Sequence, residues 1–163
     1  MKTLTQQLSQ YASYHRDGRN IATHFVGVPM IVTAVAVLLS RPAVELGGLT
    51  VSPAIVLGLA AGIYYLLLDL GLGLAMDALL AGALYFGAWC AQQSTTLWLA
   101  TGLGLFTIGW IFQFVGHHFE GRKPAFVDDL IGLMIGPLFV LAELLFMLGL
   151  LRELQRVVQP QRG

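Results

Sequence analysis

Long apolar stretches alternate with short polar or turn-forming segments from residue 25 to near the end of the chain. They predict five membrane-spanning helices, near residues 25–40, 53–69, 72–91, 97–115 and 131–151. Their lengths are close to the roughly 17–25 residues that a helix needs to cross the hydrocarbon core of a bilayer. The stretches lack the period-two alternation of the strands of a transmembrane barrel. Helices are then the element whose backbone hydrogen bonds can all be made within the segment in lipid. We therefore predict an all-α fold, a polytopic transmembrane helix bundle, in a single membrane domain covering residues 1–163.

The first 24 residues differ from the rest because they are polar and aromatic. They lack the apolar core of a cleavable signal peptide, so we interpret residues 1–24 as an interfacial segment that contains a helix. Asp17-Gly18 is a turn signal, and Asn20 is a good N-cap for a following helix. A helix–turn–helix would fold His15 back against His24, whereas one unbroken helix would separate them onto opposite sides. The alternative is that these side chains only sit at the level of the lipid headgroups.

Composition and charge narrow the class of protein. Hydrophobic residues make up 56% of the chain and charged residues 11%, whereas soluble domains carry about 25% charged residues. We expect an integral membrane protein with the lipid bilayer as its partner, in the cytoplasmic membrane of a bacterium or the endoplasmic reticulum of a eukaryote. The net charge of zero excludes an electrostatic nucleic-acid binder. The single cysteine, Cys90, excludes an internal disulfide.

Glycine is abundant, with 19 residues, many of them inside the apolar stretches. Small residues let helix backbones approach closely. Gly58 and Gly62 form a GxxxG pair, for which we expect packing between helices of the same chain, with a homo-oligomer as the alternative.

All four histidines lie in two short segments. His15 and His24 lie before and at the start of the first predicted span. His117 and His118 lie at the end of the fourth. With five spans, the N-terminal segment and the loop 116–130 share one membrane face and the C-terminus lies on the other. The topology therefore predicts that the histidines gather on one face.

A histidine cluster with a nearby carboxylate is typical of a metal site. His117 and Glu120 are three residues apart and share a helical face, a spacing found on metal-binding helices. Imidazole ligands suit iron or zinc and do not choose between them. Three classes therefore stay open: an oxygen-using metalloenzyme, a zinc-dependent membrane hydrolase that activates water, and a non-enzymatic lipid-binding or scaffold protein. A transporter ranks below these because no inverted repeat is evident.

Several acids lie in or beside the apolar stretches. Asp77 and Glu143 fall within predicted spans, where buried carboxylates are functional candidates. The alternative is a protonated acid bonded to a neighbouring helix. Asp128 and Asp129 precede the fifth span, where the positive end of the helix dipole favours acids, and we expect them to cap it.

Three motifs between about Tyr11 and Leu151 resemble a family of small membrane proteins that includes the fungal endoplasmic-reticulum 2-hydroxy fatty acid dioxygenase. The first is Tyr11-x-x-Tyr14-His15-x-x-x-x-Asn20-x-x-x-His24-x-x-Gly27-Val28-Pro29. The second is Gly109-Trp110-Ile111-x-Gln113-Phe114-x-Gly116-His117, followed by Phe119-Glu120-x-Arg122-x-Pro124-Ala125. The third runs from Asp129-Leu130 to Gly136-Pro137-x-Phe139-Val140-x-x-Glu143.

The resemblance implies an iron(II)-dependent enzyme that shortens a 2-hydroxy fatty acid by one carbon and releases CO2, as in the α-oxidation step of phytosphingosine breakdown. It implies His15, His24 and His117 as metal ligands. The conversion of R–CH(OH)–COOH and O2 into R–COOH, CO2 and water balances, and the substrate supplies all four electrons. No external reductant is then required.

Other residues receive roles on the same basis. Glu120 is expected to be a fourth ligand or to orient one, and Asn20 to hold a ligand or a bound oxygen if it is not a helix cap. Whether Glu120 or His118 completes the site stays open.

Substrate contacts are expected from the residues around this cluster. Arg122 is the candidate for the substrate carboxylate because its planar guanidinium matches that group, and Lys123 and Tyr14 are further candidates. The acyl tail would lie between spans, near residues such as Phe112, Phe114 and Phe126.

Overall fold

Helices make up most of the protein in the computed structural model, which describes residues 2–124 and 130–160. The described helices are α1 (Leu4–Ser13), α2 (Gly18–Ser40), α3 (Pro53–Leu68), α4 (Leu70–Ala91), α5 (Thr95–Glu120), α6 (Ile131–Met147) and α7 (Arg152–Val158). Two short strands, β1 (Val44–Leu46) and β2 (Leu49–Val51), follow α2. The predicted capping acids Asp128 and Asp129 and the predicted tail contact Phe126 lie outside the described residues.

Three helices are long and apolar enough to cross a membrane. These are α2, α4 and α5, with 23, 22 and 26 residues. The apolar helices α3 and α6 have 16 and 17 residues, which at about 1.5 Å per residue fall short of a hydrocarbon core of about 30 Å. The helical character of the five predicted segments is confirmed. Within the described ranges, three of the five segments form helices that are long enough to cross a membrane.

The predicted all-helical fold is confirmed, and the two short strands are a small addition to it, between α2 and α3. They pair antiparallel, with Val44 opposite Val51 and Leu46 opposite Leu49. Gly47 and Gly48 between them have φ values of +58° and +85°. Two consecutive positive φ values are the requirement of a tight hairpin turn, which glycine meets without steric cost.

The start of the first long helix also differs from the prediction. The helix–turn–helix is confirmed, but α2 begins at Gly18 rather than near residue 25, and Asn20 is not its N-cap. Asp17 takes that role, since its Oδ1 accepts the backbone N–H of Arg19 at 2.8 Å. Asn20 and His24 are polar but buried, so hydropathy alone does not reveal that this segment is part of the helix.

The chain forms two compact units, residues 2–28 with 112–160, and residues 29–111. In the second unit, α3 and α4 pack as an antiparallel pair joined at Asp69. A Cβ on Gly58 would lie 2.8 Å from the Leu84 side chain, and one on Gly62 would lie 2.5 Å from the Asp77 carboxylate. The GxxxG pair therefore packs within the chain, as expected, and Asp77 lies against it.

In the first unit, α1 packs against α6 and α7. Leu8 and Phe139 are fully buried there. The chain reverses after α6 through Gly149 and Leu151, which have φ values of +75° and +53°. The C-terminal helix α7 thus returns to α1, whereas the count of five complete spans predicted that the end of the chain is separated from the N-terminal segment. Such counting does not anticipate a chain that folds back after α6.

The same reversal explains the buried acid of α6. Glu143 accepts a hydrogen bond from the Gln159 side-chain amide just after α7, and both residues are buried. This matches the alternative in which the acid bonds to a neighbouring helical segment.

Candidate metal centre

Three histidines from distant parts of the chain converge in the first unit. One ring nitrogen from each of His15, His24 and His117 lies within 4.8 Å of the others. All three residues are buried, with exposures of 1%, 1% and 6%. His15 lies in the turn after α1, His24 in the second turn of α2, and His117 in the last turn of α5. The predicted folding of His15 against His24 is confirmed, and His117 joins them.

Backbone carbonyls determine which nitrogens of two rings carry the proton. His15 Nδ1 donates to the Tyr11 carbonyl at 2.8 Å, and His24 Nδ1 donates to the Asn20 carbonyl at 2.9 Å. A carbonyl can only accept, so in both neutral rings the proton is on Nδ1 and the lone pair on Nε2. These two Nε2 atoms face each other at 3.1 Å. Two lone pairs at this distance repel unless a cation lies between or beside them.

A proton does not supply that cation at neutral pH. Burial lowers the pKa of the His15 imidazole to about 4; the Tyr11 carbonyl opposes this shift, and nearby His117 adds to it. His117 Nδ1 is buried and, within the described residues, has no hydrogen-bond partner. The donor set therefore fits a divalent metal ion, which neutral imidazoles bind through their unprotonated nitrogens.

The His15 ring packs against two aromatic side chains that also contact each other. The Tyr11 ring stacks on it at 4.2 Å with an angle of 4° between the planes, and the Phe139 ring lies 5.6 Å away. Tyr11 belongs to α1, whose first turn is stabilised by a capping box between Thr3 and Gln6. One residue of α1 therefore orients His15 through both its ring and its carbonyl.

A close approach of two helices brings the other histidines together. A Cβ on Gly116 of α5 would overlap Thr23 Oγ1 and Asn20 Oδ1 of α2. Glycine is thus required at the residue preceding His117, because any side chain would push α5 away from the start of α2 and from His24.

Glu120 ties the end of α5 to the segment between His15 and α2. Its carboxylate accepts the backbone N–H groups of Arg16 and Asp17 at 2.9 Å and the Asn20 side-chain amide at 3.0 Å. Its oxygens are not part of the three-nitrogen cluster. Asn20 Oδ1 is buried without a partner among the described residues. The carboxylate therefore acts as a clamp on the backbone next to His15.

Comparison with known proteins agrees with these motifs. A family model described as "Mpo1-like: 2-hydroxy-palmitic acid dioxygenase Mpo1-like" matches residues 1–148. The chain belongs to the Mpo1-like family. It is 37% identical over 158 residues to the 2-hydroxy-palmitic acid dioxygenase MPO1 of Saccharomyces cerevisiae, an alignment that covers 96% of this chain and 87% of that protein. No solved structure gives a significant match.

The remaining sequence candidates of this Mpo1-like chain lie outside the cluster. His118 is exposed on the end of α5. Arg122 is exposed and donates to the Ser13 carbonyl at 3.1 Å, at the end of α1. Lys123 is exposed, and Tyr14 is half-buried beside a cavity of about 20 Å³ between α1 and the start of α6.

Sequence reasoning missed three features of the site. Tyr11 lies four residues before His15, a spacing that could have indicated the carbonyl contact. Gly116 stands directly before His117, and its need for a close approach could have been inferred from that position. The third feature is a cavity beside His15 whose far wall is formed by residues 158–160, and no local signal in the sequence indicates it.

Proposed function

We propose that the chain is an iron(II)-dependent dioxygenase that shortens 2-hydroxy fatty acids by one carbon, with His15, His24 and His117 as the metal ligands. The observation that carries the proposal is the pair of unprotonated Nε2 atoms facing each other at 3.1 Å. Membership of the Mpo1-like family and the name of the yeast relative support the substrate class. Iron is preferred over zinc because of that relative's dioxygenase activity, since the imidazole ligands alone do not choose.

The reaction consumes one O2 and yields a fatty acid one carbon shorter, CO2 and water. All four electrons come from the substrate, so no co-substrate is needed. Bound iron(II) would supply a centre at which O2 and the α-hydroxy carboxylate can react.

The protein residues hold and shield this centre. The carbonyls of Tyr11 and Asn20 keep the two Nε2 atoms unprotonated, and the Tyr11 and Phe139 rings exclude water from one side of His15. We propose that Glu120 orients the ligands rather than binding the metal, because three N–H groups already occupy its oxygens. Hydrogen-bonding partners of this kind typically change metal affinity 10–100-fold when removed.

The location and substrate contacts are part of the same proposal. Three helices with the length and apolarity to cross a bilayer support an integral membrane protein whose substrate enters from the lipid. Arg122, Lys123 and Tyr14 remain the sequence-based candidates for contacts with the substrate.

Metal analysis of the anaerobically purified, detergent-solubilised protein tests the proposal. We expect near-stoichiometric iron, lost in His117→Ala and retained in the matched control His118→Ala, because His118 is exposed and outside the cluster. With 2-hydroxyhexadecanoic acid, the wild type should consume O2 and release CO2 in equal amounts.

Other outcomes would contradict this function. Stoichiometric zinc with no O2 uptake would favour the hydrolase. No metal after attempted iron reconstitution would favour a lipid-binding protein. Turnover retained by His117→Ala would remove His117 from the ligand set.

A further inference from the structure

The hairpin between α2 and α3 has one apolar face and one polar face. Side chains two residues apart on a strand, and side chains paired across two strands, project to the same side of a hairpin. The apolar side chains form two cross-strand pairs, Val44 with Val51 and Leu46 with Leu49, so all of them lie on one face. The opposite face carries the pair Glu45 and Thr50, in which the Thr50 hydroxyl donates to the carboxylate.

Within the part of the chain that the structure describes, the apolar face is largely uncovered. Val44, Leu46 and Leu49 are 58%, 60% and 72% exposed, and Val51 is half-buried. A two-stranded hairpin is marginally stable in water at best and needs a further layer on its apolar face. Contiguous exposed apolar patches mark interaction surfaces. A partner outside the chain is therefore expected to supply that layer.

The residues at the end of α2 indicate what this partner is. α2 is one of the three helices with the length and apolarity to cross a bilayer, and it ends at Ser40. The guanidinium of the next residue, Arg41, lies 5.0 Å over the ring of Trp98, and Trp98 Nε1 donates to the Val37 carbonyl at 2.7 Å. Tryptophan is enriched at membrane–water interfaces, and arginine near the end of a spanning helix extends toward them. This pair of side chains therefore indicates the headgroup level at the end of α2.

Short connections at both ends keep the hairpin close to that level. Val44 follows Arg41 by three residues, which span at most about 10 Å when fully extended. On the other side, the buried Ser52 caps α3, because its hydroxyl accepts the backbone N–H of Ile55 at 3.3 Å. The hairpin thus joins two apolar helices without a linker that would carry it far into water.

We propose that the apolar face of this hairpin docks on the lipid surface, at the boundary between headgroups and acyl chains. The outer edges of β1 and β2 carry backbone groups that the hairpin does not pair, and the hydrocarbon core cannot satisfy such groups. The hairpin therefore lies flat, with its apolar side chains buried about 5–10 Å into the boundary and with Glu45 and Thr50 toward water. The inference rests on the membrane location proposed above and not on the dioxygenase activity.

Nitroxide labels on the two faces test the docking, each face serving as the control for the other. Single cysteines are introduced by Leu46→Cys and Leu49→Cys on the apolar face and by Glu45→Cys and Thr50→Cys on the polar face. The full-length protein is placed in phosphatidylcholine vesicles. The native Cys90 is buried, so wild-type protein treated with the same reagent gives the background. Electron paramagnetic resonance measures how often each label collides with O2, which concentrates in lipid, and with a water-soluble nickel chelate.

The expected result is a reversal between the two faces. Labels at positions 46 and 49 should collide more with O2 than with the chelate, and labels at positions 45 and 50 should do the opposite. The logarithm of the ratio of the two accessibilities should therefore change sign between the neighbouring positions 49 and 50. If thermal unfolding shows that a label at position 46 or 49 disturbs the fold, Val44→Cys and Val51→Cys report on the same face.

A label in the middle of α4 separates the two possible failures. Leu79 is 59% exposed within this helix, so Leu79→Cys should be accessible to O2 and protected from the chelate. If it is, but the chelate reaches positions 46 and 49 as freely as positions 45 and 50, the docking is overturned and the membrane location stands. If the chelate also reaches position 79 freely, both are overturned. Dipolar coupling between labels at position 49, lost on dilution with unlabelled protein, would overturn the lipid in favour of a second copy of the chain.

Discussion

The close approach at Gly116 makes a sharp prediction about how the metal centre is assembled. In Gly116→Ala the new Cβ would overlap Thr23 Oγ1 and Asn20 Oδ1 and would lie 3.4 Å from Asn20 Cα. Neither side chain can yield easily, because Thr23 is branched at Cβ and donates to the Asn20 carbonyl, and Asn20 is fully buried. The start of α2 and the end of α5 must therefore separate.

The expected magnitude follows from two opposing effects. Overpacking a well-packed interior typically costs about 1–3 kcal/mol, and replacing a helical glycine by alanine returns about 1 kcal/mol. The net loss of stability is thus expected to be at most about 2 kcal/mol. The larger effect should be on metal binding, because His24 follows Thr23 directly and His117 follows Gly116 directly. Separation of the two backbones moves the ligands apart.

Gly104→Ala on the same helix is the matched control. A Cβ there meets no atom within 4 Å, so this variant should be as stable as the wild type or slightly more stable. Thermal unfolding in detergent and cobalt(II) titration of the metal-free protein measure both effects. Wild-type metal affinity in Gly116→Ala would refute the idea that this contact sets the ligand spacing. An equal loss in Gly104→Ala would point to a general effect of alanine in α5.

Four further predictions concern the same unit. Glu120→Ala should lower cobalt(II) affinity about ten-fold or more. Glu120→Gln, which keeps an acceptor oxygen, should lower that affinity less. Equal losses of affinity in the two variants would exclude a role of Glu120 in holding the backbone N–H groups. Divalent metal at 100 times its dissociation constant should stabilise the wild type by about 2.7 kcal/mol and should not stabilise His24→Ala, as followed by thermal unfolding. Tyr11→Phe should keep metal affinity, whereas Tyr11→Ala should reduce it because the ring that stacks on His15 is lost; a similar reduction in both would assign the effect to the hydroxyl. Gln159→Leu should cost about 1–3 kcal/mol of stability, because the amide that donates to buried Glu143 is removed. Glu143→Gln should cost less. Unchanged unfolding of Gln159→Leu would show that this hydrogen bond does not hold residues 158–160 in place.

Local features of the sequence were sufficient for the helices and for the identity of the clustered histidines. Apolar composition is a property of each segment, and it predicted the apolar helices to within a few residues except at the start of α2 and at the end of α5, which continues to Glu120. The turn at Asp17-Gly18 is also local, and it was enough to predict that His15 folds back against His24. The motifs around His15, His24 and His117 carried the family resemblance that the comparisons confirm.

Only the tertiary structure decided how the site is built and where residues 152–160 lie. Glu120 contacts residues 100 or more positions away, and such contacts depend on which helix faces meet rather than on local composition. The reversal after α6 relies on positive φ values at Gly149 and Leu151, and leucine is not a residue from which this conformation is expected. That reversal brings Gln159 to Glu143 and residues 158–160 to the cavity beside His15. The sequence alone therefore determined which helices form and which histidines are candidates, while packing between distant segments determined the ligand geometry, the role of Glu120 and the cavity.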